Sequence, residues 1–410
     1  MRVPLLVSLR TGPVGTLSLR VPRIVSFGYG CRGEIPAIAG EYGAKVCFVT
    51  GKRSLKGSGM LNELLDAAKE AGLATVTFGN VEAEPLVTTV DAVRRVLLDE
   101  DCDAVVAVGG GSVLDVGKAA AALIDSDLPT ADHLAGAAMP DDGLPIIAVP
   151  TTAGTGAEVT PNAVLRDLQA GVKASLRGEH LLPVAALVDP QLTMSAPPDV
   201  TAHTGLDAFT QALEAYTSAG ANPFSNALAF DAIVRLGASL RIVYVDPKSW
   251  PGRESAALGS LFAGLALASA RLGLVHGLAH PIGMLYDVPH GLACALLLPH
   301  VVAFNTPACE PKYAVCAQAL GAGETAEDLL AWVNDLLPQL GITTTLRDEG
   351  LREEDFPTII PPTLESGSTK HNPRDVNEED VTALLHHILD PDSPLPAPRE
   401  ADSNGTRQRT

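Results

Sequence analysis

Between Ile24 and Pro198 the sequence alternates short β-branched runs with longer stretches of helical periodicity, and beyond Pro198 the strand-like runs stop. Lys45–Thr50 (KVCFVT), Thr75–Phe78, Ala104–Val108 (AVVAV), Pro145–Val149 (PIIAV) and Ala185–Val188 have the length and apolar continuity of buried strands. Gly59–Gly72, Pro85–Leu98 and Leu114–Ile124 read as the helices among them. Alternation at this spacing implies parallel strands joined by crossover helices. Further on, Asp207–Ser218, Asn222–Leu240, Ser255–Leu274, Leu292–Phe304, Ala326–Leu337 and Glu378–Leu389 are rich in Ala and Leu and predict helices only. The expected architecture is an α/β N-terminal domain over residues 24–198 plus an all-α C-terminal domain over residues 199–390. An extension (residues 1–23), with a hairpin signal at Thr11-Gly12-Pro13 inside Met1–Leu19, precedes them. A tail of Pro, Asp, Ser and Arg (residues 391–410) is expected to be disordered.

Composition excludes several function classes. The net charge of −19 leaves no basic surface for nucleic acid, although one basic pocket for a small anion is compatible with it. No uncharged apolar run approaches the ~20 residues of a membrane span, so no membrane partner is expected. The short apolar start ends at Arg10 without a small-residue cleavage pattern, which reads as no secretory signal. Six cysteines without any C-x-x-C spacing read as reduced thiols of a cytoplasmic protein.

Two turns have the character of ligand loops. Gly109-Gly110-Gly111-Ser112 follows the AVVAV strand and opens a helix. Glycines there let the backbone approach a phosphate, and the helix N-terminus supplies N–H groups and partial positive charge. A tight turn would use the same residues, and the spacing is not G-x-G-x-x-G. The second turn, Pro150–Glu158, follows PIIAV and carries the hydroxyls of Thr151, Thr152 and Thr155. Both lie at strand C-terminal ends, where open α/β sheets bind ligands.

A different chemistry gathers in the helical half. His276 and His280 are spaced i, i+4 and share a helix face, as do Asp207 and Gln211. His290 follows a Pro281/Gly283/Pro289 interruption. Each residue alone has an ordinary role: Asp207 as a helix cap, the histidines as core or turn residues. Three of the ten histidines within fifteen residues favour ligation, and oxygen with imidazole donors suits iron(II) or zinc.

GGGSVLDVGKAAA (Gly109–Ala121), PTTAGTGAEVT (Pro150–Thr160), Asp189-Pro190, GLDAFTQALEAY (Gly205–Tyr216) and HGLAHPIGMLYDVPHG (His276–Gly291) resemble the iron-containing (group III) alcohol dehydrogenase family in order and spacing. The likeness spans Ile24 to Leu389. It implies an NAD(P)-dependent alcohol dehydrogenase or aldehyde reductase with a cleft between a dinucleotide-binding and a metal-binding domain. The resemblance places Gly110, Gly111 and Ser112 at the pyrophosphate, and Thr151, Thr152 and Lys173 along the ribose and nicotinamide, with Thr155 in the same loop. It assigns Asp207, His276 and His290 to a divalent metal, Fe2+ ahead of Zn2+, with Gln211 at the fourth position and His280 as proton relay beside the nicotinamide. A homo-oligomer is expected by the same analogy.

This chain departs from the family pattern in informative places. Gln211 stands where a histidine is usual, which predicts weaker metal binding. Gly51, followed by Lys52, Arg53 and Ser54, replaces the aspartate that NAD-using relatives set against the adenosine ribose, which predicts acceptance of NADP as well as NAD. Ala157 replaces a serine in the second loop. Asn162 and the segment Ser366–His371 align with substrate-facing regions, and Lys370 there suggests a small anionic aldehyde or primary alcohol. Rival readings are a maleylacetate-reductase-like enzyme, a lyase of the dehydroquinate-synthase kind, and a dinucleotide-binding protein with a degraded metal site.

Overall fold

The computed structural model describes residues 19–52, 55, 57 and 59–397. Its first half runs β1 (Ile24–Phe27), α1 (Ile35–Gly40), β2 (Lys45–Gly51), α2 (Met60–Glu70), β3 (Ala74–Val81), α3 (Val87–Asp99), β4 (Ala104–Gly109), α4 (Gly111–Ala122), α5 (Thr130–Leu134) and β5 (Ile146–Pro150). It then continues through β6 (Asn162–Asp167), β7 (Val172–Arg177) and β8 (Ala185–Val188). Six strands form one sheet in the order β1-β8-β5-β4-β2-β3, every pairing parallel. Side chains alternate across it: Cys47, Val49, Val105 and Ala107 pack under α3 and α4, while Val46, Phe48, Val106 and Val108 pack under α1 and α2. With helices on both faces, the central strands must be apolar throughout, which is why they were legible as continuous runs.

The chain lays β3 outside β2 and then returns to place β4 on the other side of β2. This reversal opens a crevice beyond the carboxyl ends of β2 and β4, the place where doubly wound sheets bind ligands. Gly51 and Gly109 end those two strands. Three strands are not expected from the sequence: the short edge strand β1, and β6 and β7. The antiparallel hairpin β6–β7 forms a separate two-stranded sheet; its mixed apolar and charged residues carry no continuous run. Its turn holds Gly171 at φ 68°, the left-handed conformation a tight hairpin connection uses.

The second half is helical: α6 (Pro198–Thr217), α7 (Pro223–Val245), α8 (Trp250–Ala270), α9 (Leu274–Tyr286), α10 (His290–Leu320), α11 (Ala326–Gln339), α12 (Phe356–Glu365) and α13 (Glu378–Leu389). Several boundaries differ from expectation for identifiable reasons. α6 begins nine residues before Asp207, started by Pro198 in the first helical turn, where a missing N–H costs nothing. Asp207 is thus a mid-helix residue and not a cap. Pro281 lies inside α9, and the break before His290 comes only at Asp287, in the left-handed region at φ 55°. α10 continues past Phe304 to Leu320 with Pro299, Pro307 and Pro311 inside it. α12, with two internal prolines, was not anticipated at all. In each case burial in the helical core outweighs the local proline penalty.

Among the described residues α10 is long and apolar enough to cross a membrane, yet most of its apolar window is buried within the fold. All six cysteines are free. The start of the expected tail is ordered by the core: Leu395 packs against it, His387 contacts the Ser393 carbonyl at 2.8 Å, and Arg374 donates to the carbonyls of Pro396 and Ala397 at 3.3 and 3.2 Å. The hairpin expected within Met1–Leu19 lies outside the described residues except for Leu19, as do Arg53 and Ser54.

Candidate active site

The first ligand turn is built as its composition requires. Gly110 precedes α4 in extended conformation and offers no side-chain cap, so the N–H groups of Gly111 and Ser112 are left for a ligand. A Cβ on Gly111 would lie 2.6 Å from Thr155 Cγ2, so only glycine lets the two turns meet. Gly156, at φ 64°, brings the second turn against α8, where its Cβ would strike Gly264 Cα at 2.4 Å. Beneath both turns sits an ion pair that the sequence reading passed over. Lys118 and Asp115 pair at 2.9 Å one turn apart on α4. Lys118, with no exposed surface, also donates to the carbonyls of Ala157 (2.9 Å) and Asn162. Asp115 accepts from the Val164 N–H at 2.9 Å. The pair ties the glycine-turn helix to the segment that faces it.

A cavity of about 350 Å³ lies between these turns and the helical half. Gly111, Ser112, Thr155 and Lys173 line it from the α/β side, and Asp207, Gln211, His276, His280 and His290 from the helical side. Gly51, Gly110, Thr151 and Thr152 are not among its lining residues. Thr152 instead adjoins Gly110, where an added Cβ would lie 3.4 Å from its Oγ1. Asn162, Gly367, Ser368 and His371 also line the cavity, but Lys370 is exposed elsewhere. The cations that do face it are Lys173, Arg177 and Arg271. Lys173 is neutralised by Glu84. Arg177 and Arg271 have no carboxylate or hydrogen-bond partner for their guanidinium groups among the described residues. Burial and the facing Arg271 charge hold Arg177 below the usual guanidinium range. Arg271 also caps α8 at φ 65°, ψ −178°, a backbone region favoured by glycine, which turns the chain toward the cavity.

Three helices bring the acid and imidazoles together. Asp207 Oδ1 lies 3.2 Å from His276 Nε2 and 3.8 Å from His290 Nε2. On the far side of His276, Nδ1 meets Glu214 Oε2 at 2.6 Å, and Glu214 Oε1 accepts the Val275 N–H at 2.7 Å. This is the carboxylate–histidine arrangement that orients an imidazole toward a metal. Glu214 was legible in principle, since Asp207, Gln211 and Glu214 recur at helical spacing on α6. Burial works against charge on Asp207, but the His276 hydrogen bond and the nearby His290 hold its carboxyl below the usual range. Burial likewise opposes charge on His276, yet Cys294, Glu214 and Asp207 together push it well above the usual histidine range. His290 is pushed down to about 4 by burial, with Lys173 and His276 adding to the effect.

The donors fit a divalent cation. With Nδ1 directed at Glu214, His276 turns Nε2 toward Asp207 Oδ1, a place that the proton of the imidazolium fills in the metal-free protein and that a cation would take over. Gln211, 2% exposed, donates to the Gly154 carbonyl at 3.3 Å but leaves its buried Oε1 without a partner. The structure adds a neighbour the sequence reading did not name: the Cys294 thiol, buried one turn after His290. His280 differs from the ordinary histidine assumed from sequence. Burial, with His290 and Lys173 contributing, holds it well below the usual range, so its ring is uncharged at neutral pH.

Comparison with known proteins places the chain among enzymes. Residues 22–190 match the family model described as iron-containing alcohol dehydrogenase, and residues 201–389 match that of the Fe-containing alcohol dehydrogenase family, C-terminal. The chain is 39% identical over 359 residues to a 1,3-propanediol dehydrogenase of Klebsiella pneumoniae, covering 85% of this chain and 92% of the relative. A solved 1,3-propanediol oxidoreductase superposes with TM-score 0.87 at 35% identity, covering 91% of this chain and all (100%) of the other. A sulfoacetaldehyde reductase from Bifidobacterium kashiwanohense, solved with NAD+, superposes with TM-score 0.85 at 33% identity over 93% of this chain and 100% of the other.

Proposed function

Because the chain belongs to the iron-containing alcohol dehydrogenase family, whose members are NAD(P)-linked oxidoreductases, we propose that it interconverts a small anionic aldehyde and its primary alcohol. The observation that carries the anionic reading is the pair Arg177 and Arg271, two unpaired guanidinium groups on the cavity that also holds the histidine cluster. Guanidinium forks suit carboxylate, phosphate or phosphonate groups. The sulfonate of the Bifidobacterium relative's named substrate belongs to the same chemical class. The propanediol, lactaldehyde and sulfoacetaldehyde enzymes among the relatives favour a dehydrogenase over the reductase and lyase alternatives.

In this reading the nicotinamide supplies or accepts the hydride, and a divalent ion at Asp207, His276 and His290 supplies Lewis-acid polarisation of the substrate oxygen. Gly111, Ser112 and Thr155 hold the dinucleotide, with Gly110, Thr151 and Thr152 shaping the turns behind them. Lys173, held by Glu84, stands on the nicotinamide side. His280, uncharged and lining the cavity, relays the proton between the substrate oxygen and solvent.

The test compares neutral and anionic aldehydes of equal length with wild type and Arg271→Ala. A charge-assisted contact of about 1.5–3 kcal/mol corresponds to a KM increase of roughly 10–100-fold for the anionic aldehyde. The neutral one should change by less than about twofold. Equal effects on both aldehydes would refute the anionic reading. A rise confined to the KM of the nicotinamide cofactor would assign the arginine to cofactor phosphate instead.

Acceptance of NADP rests on Gly51. A Cβ there would meet Val113 Cγ2 at 3.5 Å and the Val81 carbonyl at 3.8 Å, ordinary contacts, so an acid is sterically admissible and is simply missing. Exposed Lys52 follows. Gly51→Asp is expected to lower kcat/KM for NADPH about fivefold or more, because a carboxylate near a 2′-phosphate costs about 1 kcal/mol or more. Efficiency with NADH should hold or rise. Unchanged NADPH efficiency would remove Gly51 from cofactor selection.

A further inference from the structure

We propose that Cys294, as a thiolate, is the fourth protein donor of the metal centre, and that it makes the site retain zinc in preference to iron(II). The proposal rests on the metal-site reading above and adds a donor to it. His290 opens α10, and Cys294 stands one turn later on the same helix face. Its Sγ lies 3.7 Å from His290 Nε2 and 3.8 Å from His276 Nε2, while Asp207 Oδ1 lies 3.8 and 3.2 Å from the same two nitrogens. One ligand atom from each of the four residues falls within 4.8 Å of every other. A tetrahedral ion with bonds of about 2.0–2.3 Å has donor–donor edges of roughly 3.3–3.8 Å. The four distances therefore match tetrahedral edges with the side chains where they stand.

The directions of approach agree with a catalytic centre. Asp207, His276, His290 and Gln211 line the cavity, whereas Cys294 is fully buried and does not. Its sulfur would hold the ion from the core side, so that a substrate oxygen arriving from the cavity side would be a fifth ligand. Gln211 Oε1, buried and unpartnered, adjoins the same cavity, but a neutral amide oxygen is a weaker donor than a thiolate. Coordination breaks the S–H bond, forms a sulfur–metal bond and releases one proton to solvent, with no change of oxidation state. Soft sulfur selects zinc over iron(II). The loss of a histidine at Gln211 is thereby offset by a cysteine gained from another helix.

Metal-stripped protein reloaded with cobalt(II) tests this directly. Wild type should show thiolate-to-cobalt charge-transfer absorption in the near ultraviolet, and X-ray absorption of the zinc form should show one sulfur at about 2.3 Å. Cys294→Ser should abolish the charge-transfer band and lower zinc affinity by more than the roughly 10–100-fold that loss of an outer partner costs. Gln211→Ala should keep the band. Cobalt bound by wild type without a sulfur signature, or a spectrum unchanged in Cys294→Ser, overturns this proposal and leaves the Asp207–His276–His290 reading standing. Wild type that binds neither cobalt nor zinc overturns both. The wild-type spectra need no variant, so a folding defect in Cys294→Ser does not shelter the idea.

Discussion

Asp207→Asn is expected to leave a folded protein that has lost its metal and reduces aldehydes about a thousandfold more slowly. The substitution keeps volume and removes the charge that faces both His276 at 3.2 Å and His290 at 3.8 Å. A neutral amide oxygen in that place is a poor partner for a cation, and Glu214, on the outer side of His276, cannot replace it. Lewis-acid stabilisation contributes several kcal/mol to a hydride transfer of this kind, and each ~1.4 kcal/mol is tenfold in rate. Loss of that contribution should lower kcat and kcat/KM together, since it is realised chiefly in the transition state. Metal content by mass spectrometry and steady-state kinetics would check the result, with circular dichroism confirming the fold. A variant with full metal content and activity within about tenfold of wild type would remove Asp207 from the centre.

Lys118→Met should be the most destabilising single change near the glycine turn. Lys118 has no exposed surface, pairs with Asp115 at 2.9 Å and donates to the Ala157 carbonyl at 2.9 Å. Burial already pushes the Asp115 carboxyl up even with Lys118 beside it. Without the ammonium a buried acid loses its partner and the carbonyls of Ala157, Thr160 and Asn162 lose a donor. Breaking one side of such a pair costs about 3–5 kcal/mol. For a protein of this size that is a fall of roughly 3–6 °C in melting temperature. The double substitution Lys118→Met with Asp115→Asn should recover part of the loss, because the stranded charge is gone. Melting within about 2 °C of wild type would mean the pair contributes little. The same variant should raise the KM for the dinucleotide, since Lys118 anchors the segment facing the cavity.

The sheet and the division near Pro198 were legible because a parallel sheet covered on both faces must be written in continuous apolar runs. Asp207, His276 and His290 were legible as a group because polar side chains recurring at helical spacing in apolar sequence need a reason to be there. Helix ends were less so: α6 begins earlier and α10 ends later than local signals suggest, since buried packing tolerates Pro299, Pro307 and Pro311. The β6–β7 hairpin was missed because its residues alternate without a long apolar run. Lys370 drew notice as the loop's cation, but the structure turns it outward and gives the cavity to Arg177 and Arg271.

By itself the sequence determined the fold class, two glycine- and threonine-rich turns at strand ends, and three residues that gather into one cluster, because these depend on periodicity and on residue types that recur at short spacing. Tertiary structure alone decided which side chains meet across helices. Cys294 sits in an apolar stretch where a cysteine reads as core, and only the approach of α6 and α9 to α10 puts its sulfur at a corner of the Asp207–His276–His290 cluster. Glu214 gains its partner in the same way, and Arg177 and Arg271, 94 residues apart, share a cavity only once β7 packs against α9. Distances between elements far apart in sequence are set by packing, and no local pattern records them.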